Sequence, residues 1–142
     1  MGIRVTFDEV LVGIEAISAA IRASDFSPHY LVGLARGGWI PTRLLSNALG
    51  IKELLSIGMK YGDAERKTLI TYSKPDPIPQ GKRLLLIEDC LESGRSLWAA
   101  REMLVTAGND VKTASVYITD KTEHFPDFYF ERKPMAPILP WE

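Results

Sequence analysis

The sequence predicts an α/β fold, a mainly parallel twisted sheet flanked by helices. Three observations predict it. Short apolar runs of strand length, Tyr30–Ala35 and Arg83–Ile87 foremost, read as strands buried on both faces. Segments of helical periodicity stand between them. The length, 142 residues with 46% hydrophobic and 25% charged, suits one domain spanning 1–142 with a core large enough to need no staple.

Element by element, Thr6-Phe7-Asp8-Glu9 has the form of a capping box, and Val10, Ile14, Ile17 and Ile21 recur at helical spacing, so residues 7–23 form an amphipathic helix. Ser27-Pro28 ends that segment before the strand Tyr30–Ala35. Arg36-Gly37-Gly38 breaks the strand, and a helix follows from about Pro41 to Leu49, with Gly50 placed to terminate it. Glu53–Met59 is a second strand, Lys60–Lys67 a polar loop and Thr68–Ser73 a third strand. Three prolines and a glycine make 74–81 a turn-rich connection. Arg83–Ile87 is the most apolar strand, Glu88–Gly94 a polar loop, Arg95–Ala107 a helix and Val111–Thr119 a strand. The remainder is mostly irregular, with a short strand near Phe128–Phe130.

Composition excludes several functions. Lys and Arg number 17 against 18 Asp and Glu, a net charge of −1, which argues against a basic nucleic-acid domain and against charge-driven disorder. A single cysteine, Cys90, excludes a disulfide framework and suits a reducing, cytoplasmic setting. No apolar run has the ~18–20 residues of a membrane helix, so no membrane partner is expected. The sequence lacks G-x-x-x-x-G-K-S/T, G-x-G-x-x-G, H-E-x-x-H and G-x-S-x-G.

Ligands of open α/β sheets bind beyond the carboxyl ends of the strands. Two such ends are unusual here. At the first, Arg36, Gly37 and Gly38 form either a plain tight turn or an anion site, because glycines let backbone amides approach closely and Arg36 can grip a phosphate. At the second, Glu88, Asp89 and Glu92 put three carboxylates within five residues, followed at a helix start by Ser93, Gly94, Arg95 and Ser96. Exposed amides, two hydroxyls and a helix N-terminus make an anion cradle. Carboxylates beside such a cradle fit a ribose 5-phosphate; the plain alternative is a capped helix after a strand with solvated acids, and the residues alone weigh the two equally.

At these residues the sequence resembles the type I phosphoribosyltransferases. LLLIEDCLESGRSL is similar to the family's motif for phosphoribosyl pyrophosphate, and GLARGGWIP to its pyrophosphate loop. PDFYFERKPMAPILPWE is similar to the C-terminal hood of the small bacterial and archaeal xanthine-guanine(-hypoxanthine) phosphoribosyltransferases, a hood that would be formed mainly by 120–142. The resemblance implies that Glu88 and Asp89 hold the ribose hydroxyls, partly through Mg²⁺. It implies that Glu92, Ser93, Gly94, Arg95 and Ser96 form the 5′-phosphate loop. Arg36 and Gly37 would bind pyrophosphate, often with a cis non-proline peptide. Lys121 would contact a purine 6-oxo group, and Lys60–Lys67 would be a flexible loop closing over the site. The implied partners are phosphoribosyl pyrophosphate and a nucleobase, the cofactor Mg²⁺, the assembly a homodimer or homotetramer, and the role purine salvage. Glu88, Asp89 and Glu92 are the catalytic candidates, with Glu92 as proton acceptor.

Three positions depart from the family pattern: Glu92 stands for an aspartate, Cys90 for an aliphatic residue, and Ala136 for an aromatic that stacks on the base. Tyr129 and Phe128 are the other stacking candidates. Other readings of the chain are a transferase for another nucleobase, a non-catalytic sensor of phosphoribosyl pyrophosphate or nucleotides on the same fold, and a receiver-type module phosphorylated at Asp89. Intact Glu88, Asp89 and Glu92 argue against the sensor, and the Ser93–Ser96 loop argues against the receiver. Trp39, Trp98 and Trp141 read as packing residues, Cys90 as a small apolar one, and His29 and His124 as loop residues without metal-ligand spacing. Arg66 and Lys67 read as solvated loop cations that could touch pyrophosphate on closure.

Overall fold

The computed structural model describes residues 2–142. The N-terminal helix α1 spans Phe7–Ala23 as its periodicity predicts; the Thr6 hydroxyl caps it by accepting the Glu9 N–H at 3.1 Å. Its buried stripe of Val10, Ile14, Ile17 and Ile21 lies on the sheet. Gly13 permits that approach, because a Cβ there would stand 2.8 Å from the Phe130 ring.

The remaining elements are β1 (Tyr30–Ala35), α2 (Trp39–Leu49), β2 (Leu54–Tyr61), β3 (Leu69–Ser73), β4 (Arg83–Leu91), α3 (Arg95–Thr106), β5 (Asp110–Thr119) and β6 (Phe128–Lys133). They form one six-stranded sheet in the order β3-β2-β1-β4-β5-β6. Only the β2–β3 pair is antiparallel. β4 shows why the central strands are apolar throughout. Leu85 and Ile87 pack into the cluster beneath α1, while Leu84 and Leu86 pack on the opposite side with Leu97 and Leu104 of α3. A strand covered on both faces cannot alternate polar with apolar.

Two boundaries differ from expectation. β4 continues through Glu88, Asp89 and Cys90 to Leu91, where a loop was expected. The reason is its long partner: Glu88 is in register with Ser115, Cys90 with Tyr117 and Leu91 with Ile118. Likewise β2 runs on through Lys60 and Tyr61, which pair with Ile70 and Leu69, so the expected eight-residue loop is the tip of a β-hairpin at 62–68. β6 is also longer than expected and pairs parallel to β5. Beyond it the chain returns along the N-terminal segment, where the Val5 N–H donates to the Ile138 carbonyl at 3.0 Å and the Ile138 N–H to Ile3 at 2.8 Å.

The strand order reverses direction between β1 and β4. From β1 the chain crosses through α2 to β2 on one side; from β4 it crosses through α3 to β5 on the other. Diverging connections open a crevice at the carboxyl ends of those two strands.

Candidate active site

Arg36 and Asp89 reach that crevice from its two sides. The Ala35–Arg36 peptide is cis, a non-proline cis bond of the kind the resemblance implies at Arg36 and Gly37. The Gly37 Cα faces the Asp89 side chain so closely that a Cβ would collide with the carboxylate, and one on Gly38 would collide with the Ile87 carbonyl. Glycines at both positions are thus required by close approach rather than by turn geometry alone.

The acids are ordered by backbone. Glu88 Oε1 accepts the Asp89 N–H at 3.0 Å, and Asp89 Oδ1 accepts the Cys90 N–H at 2.7 Å. Asp89 Oδ2 accepts the Trp141 indole N–H at 3.1 Å, which ties the end of the chain to the crevice. Burial pushes the Glu88 carboxyl well above the usual carboxylate range, and the neighbouring Asp89 charge adds to the effect. Burial, with Asp89 and Glu88 beside it, likewise pushes the Cys90 thiol up to about 12. The third acid, Glu92, is exposed and stands 3.8 Å from the Arg66 guanidinium.

After Glu92 the chain turns into α3 through Gly94, whose φ of +86° favours glycine. A Cβ there would lie 2.6 Å from the His124 carbonyl. No side chain caps α3 at Gly94, no acid occupies its first turn and no base its last. The Arg95 N–H donates to Ser93 Oγ at 3.2 Å. The Ser93 carbonyl accepts the N–H groups of Glu123 and His124 at 3.0 and 3.1 Å, so the 119–124 turn braces the loop from below. His124 stacks on Trp98, ring centroids 5.0 Å apart, which gives Trp98 a surface role in place of a core one.

Glu88, Asp89, Glu92, Ser93, Gly94, Arg95 and Ser96 therefore line one cavity of about 260 Å³, closed by Tyr61 and Arg66 of the hairpin and by Ala136, Pro137, Leu139 and Glu142 of the tail. Arg36 lines a separate cavity of about 430 Å³ with Met59, Lys60 and Tyr72, which shares no residue with the acid cavity. Lys121 lines a third, about 610 Å³, which shares Tyr61, Arg66, Glu92, Ser93 and Arg95 with the acid cavity. Tyr129 and Phe128 line none of the three; Phe128 packs against the core beneath α1. Ala136, by contrast, lines the acid cavity.

Sequence reasoning missed two participants, Tyr61 and Trp141, and read Arg66 only as a loop cation able to touch pyrophosphate on closure. Tyr61 and Arg66 reach the acid cavity because β2 and β3 pair. Trp141, taken as packing, donates to a residue 52 positions away, and nothing local to either could have revealed it.

A crevice with a carboxylate pair, an uncapped helix N-terminus and a glycine turn has the chemistry to receive hydroxyls and an anion together. The phosphoribosyl transferase domain model matches residues 7–134, and the chain belongs to that family of pentosyl-transferring enzymes. A purine phosphoribosyltransferase from Pyrococcus horikoshii OT3 has a similar structure, with a TM-score of 0.88 and 27% identity over 99% of this chain and 93% of that one. The bifunctional protein PyrR of Ralstonia nicotianae is 26% identical over 92% of this chain and 78% of its own. An orotate phosphoribosyltransferase of Brucella ovis is 28% identical over 73% of this chain; the match spans half of that longer protein.

Proposed function

We propose that the chain transfers ribose 5-phosphate from phosphoribosyl pyrophosphate to a 6-oxopurine, xanthine, guanine or hypoxanthine, as a purine-salvage enzyme of the cytoplasm. The observation that carries the reading is the single cavity joining Glu88 and Asp89 to the uncapped start of α3. The amides of Gly94 and Ser96 and the Ser93 and Ser96 hydroxyls would take the 5′-phosphate, with Glu88 and Asp89 on the ribose hydroxyls. Arg36 and the Gly37 turn would take the pyrophosphate.

The reaction breaks the C1′–O bond and forms C1′–N, so negative charge grows on the departing pyrophosphate while the base loses a proton. Arg36 and the turn amides meet that charge. Glu92, exposed at the cavity, would accept the proton. Mg²⁺ fits the acids present: it takes one or two carboxylates plus substrate oxygens, and among the described residues no group of three His, Cys, Asp or Glu gathers into a protein-only cage. Glu88 and Asp89 would hold it, and bound there it would neutralise pyrophosphate charge.

Lys121 supports the oxopurine. An ammonium donates to a carbonyl oxygen but meets an amino group poorly. The likeness to the Pyrococcus purine enzyme over nearly the whole chain points the same way. A relative of similar identity is an orotate phosphoribosyltransferase, and Ala136 offers no ring for stacking, so the test compares purines with pyrimidines. We expect pyrophosphate release with xanthine, guanine or hypoxanthine, slower release with adenine, and a loss of that ranking in Lys121→Met. Preference for orotate or uracil overturns the base assignment. A homodimer or homotetramer would cover Trp39, Leu54, Ile70 and Tyr72, which are exposed around β2, β3 and the start of α2; sedimentation of the purified chain checks it.

A further inference from the structure

The tip of the β2–β3 hairpin has a built shape. The Asp63 carboxylate accepts the N–H groups of Lys67, at 3.0 and 3.1 Å, and Thr68, at 2.9 Å, and these bonds hold its carboxyl below the usual range. The Gly62 N–H donates to the Thr68 carbonyl at 2.8 Å, and Arg66 adopts a φ of +57°. The tip is thus tied internally by its own backbone and the Asp63 carboxylate.

One side chain fastens the tip to the phosphate loop. Arg95 donates from Nη1 to the Arg66 carbonyl at 2.9 Å and from Nη2 to the Lys67 carbonyl at 2.6 Å. Its planar fork spans two successive carbonyls, which a lysine cannot do. Tyr61 is the surface on which the clasp rests, with the Arg66 guanidinium 4.7 Å and that of Arg95 5.6 Å from its ring centre. The result stations the Arg66 guanidinium 3.8 Å from Glu92, at the wall shared by the acid cavity and the Lys121 cavity.

We infer that Arg95 is a positioning residue for the hairpin tip, the segment already expected to close over the site, and that it holds Arg66 where a phosphorylated sugar would meet it. Arg95 contributes to the site through that segment, since its guanidinium is committed to the tip and its N–H to Ser93. This rests on the reading above only for the identity of the ligand; the clasp itself exists in the free protein. Its removal frees the tip without disturbing the core, because Arg95 is exposed.

Trypsin reads the clasp directly. The two bonds it would cut in the tip, Arg66–Lys67 and Lys67–Thr68, carry the very carbonyls that Arg95 holds. Cleavage there should be roughly tenfold faster in Arg95→Met than in the wild type and intermediate in Arg95→Lys, with the melting temperature unchanged, because local opening sets the rate. Phosphoribosyl pyrophosphate with Mg²⁺ should slow cleavage of the wild type, and Arg95→Met should raise KM for that donor by more than it lowers kcat. Equal cleavage of all three proteins overturns the clasp, whatever the turnover. Faster cleavage in Arg95→Met with no turnover on any base by the wild type upholds the clasp and overturns the function instead.

Discussion

Asp89 is gripped from three directions. The Cys90 N–H and the Trp141 indole donate to its two oxygens, and the Gly37 backbone crowds its face. A carboxylate so fixed has one orientation to offer a ribose hydroxyl or a bound cation, which is what a reacting sugar needs from its holder. Asp89→Asn keeps the size and one acceptor oxygen but removes the charge. We expect kcat/KM to fall about 100-fold or more while the melting temperature stays within a few degrees; unchanged turnover would remove Asp89 from the site. Cys90 beside it has the opposite character. With its thiol pushed up to about 12, the thiolate at pH 8 is a fraction on the order of one in ten thousand. Under native conditions at that pH a disulfide reagent should therefore label the chain very slowly, and one thiol should appear on unfolding. Rapid native labelling would mean that the acids do not surround it as described.

The elements were legible to different degrees, and the reason lies in how each is stabilised. α1 could be bounded from Thr6-x-x-Glu9 and a four-residue apolar repeat because cap and stripe are both local. The extension of β4 through Glu88, Asp89 and Cys90 was hidden, since acids at a strand end look like a loop until β5 is there to pair with them. Lys60 and Tyr61 misled in the same way until β3 supplied its register. The site followed this division. The acids, the glycine turn, the phosphate loop and the closing segment were visible as motifs, whereas the Arg95 clasp and the Trp141 bond exist only through pairings distant in sequence. At this scale two substitutions separate local shape from packing. Gly94→Val forces a branched side chain into a left-handed turn and against the His124 carbonyl. It should destabilise by about 1–3 kcal/mol and raise KM for phosphoribosyl pyrophosphate at least tenfold. An unchanged KM would move the phosphate elsewhere. In β5, Tyr117 is buried against Phe130 with its hydroxyl unpartnered among the described residues. Tyr117→Phe should leave stability unchanged or raise it by about 1 kcal/mol, because a buried donor without a partner costs more than it returns; thermal unfolding decides.

At the scale of the molecule, the C-terminal tail joins the N-terminal segment to the crevice. Residues 3–5 pair with Ile138, Leu139 is 2% exposed within the core under α1, and Trp141 then donates to Asp89. The tail thus has two separable jobs. Packing belongs to Leu139, and alignment of the acid belongs to the Trp141 N–H. Leu139→Ala should cost about 2–5 kcal/mol through the cavity it leaves. For a domain this size that lowers the melting temperature by roughly 6–15 °C, which thermal unfolding checks. Trp141→Phe retains an aromatic ring against the same neighbours and deletes only the donor to Asp89 Oδ2. Its melting temperature should stay near that of the wild type, and its kcat should fall about tenfold or more, the scale of one lost hydrogen bond to a charged group, about 1.5–3 kcal/mol. A carboxylate freed from the indole also turns more easily, so the loss should grow when the donor is supplied with less Mg²⁺. If instead Trp141→Phe melts early and turns over normally, the indole is a packing group after all and Asp89 keeps its orientation from the Cys90 amide and the Gly37 turn alone.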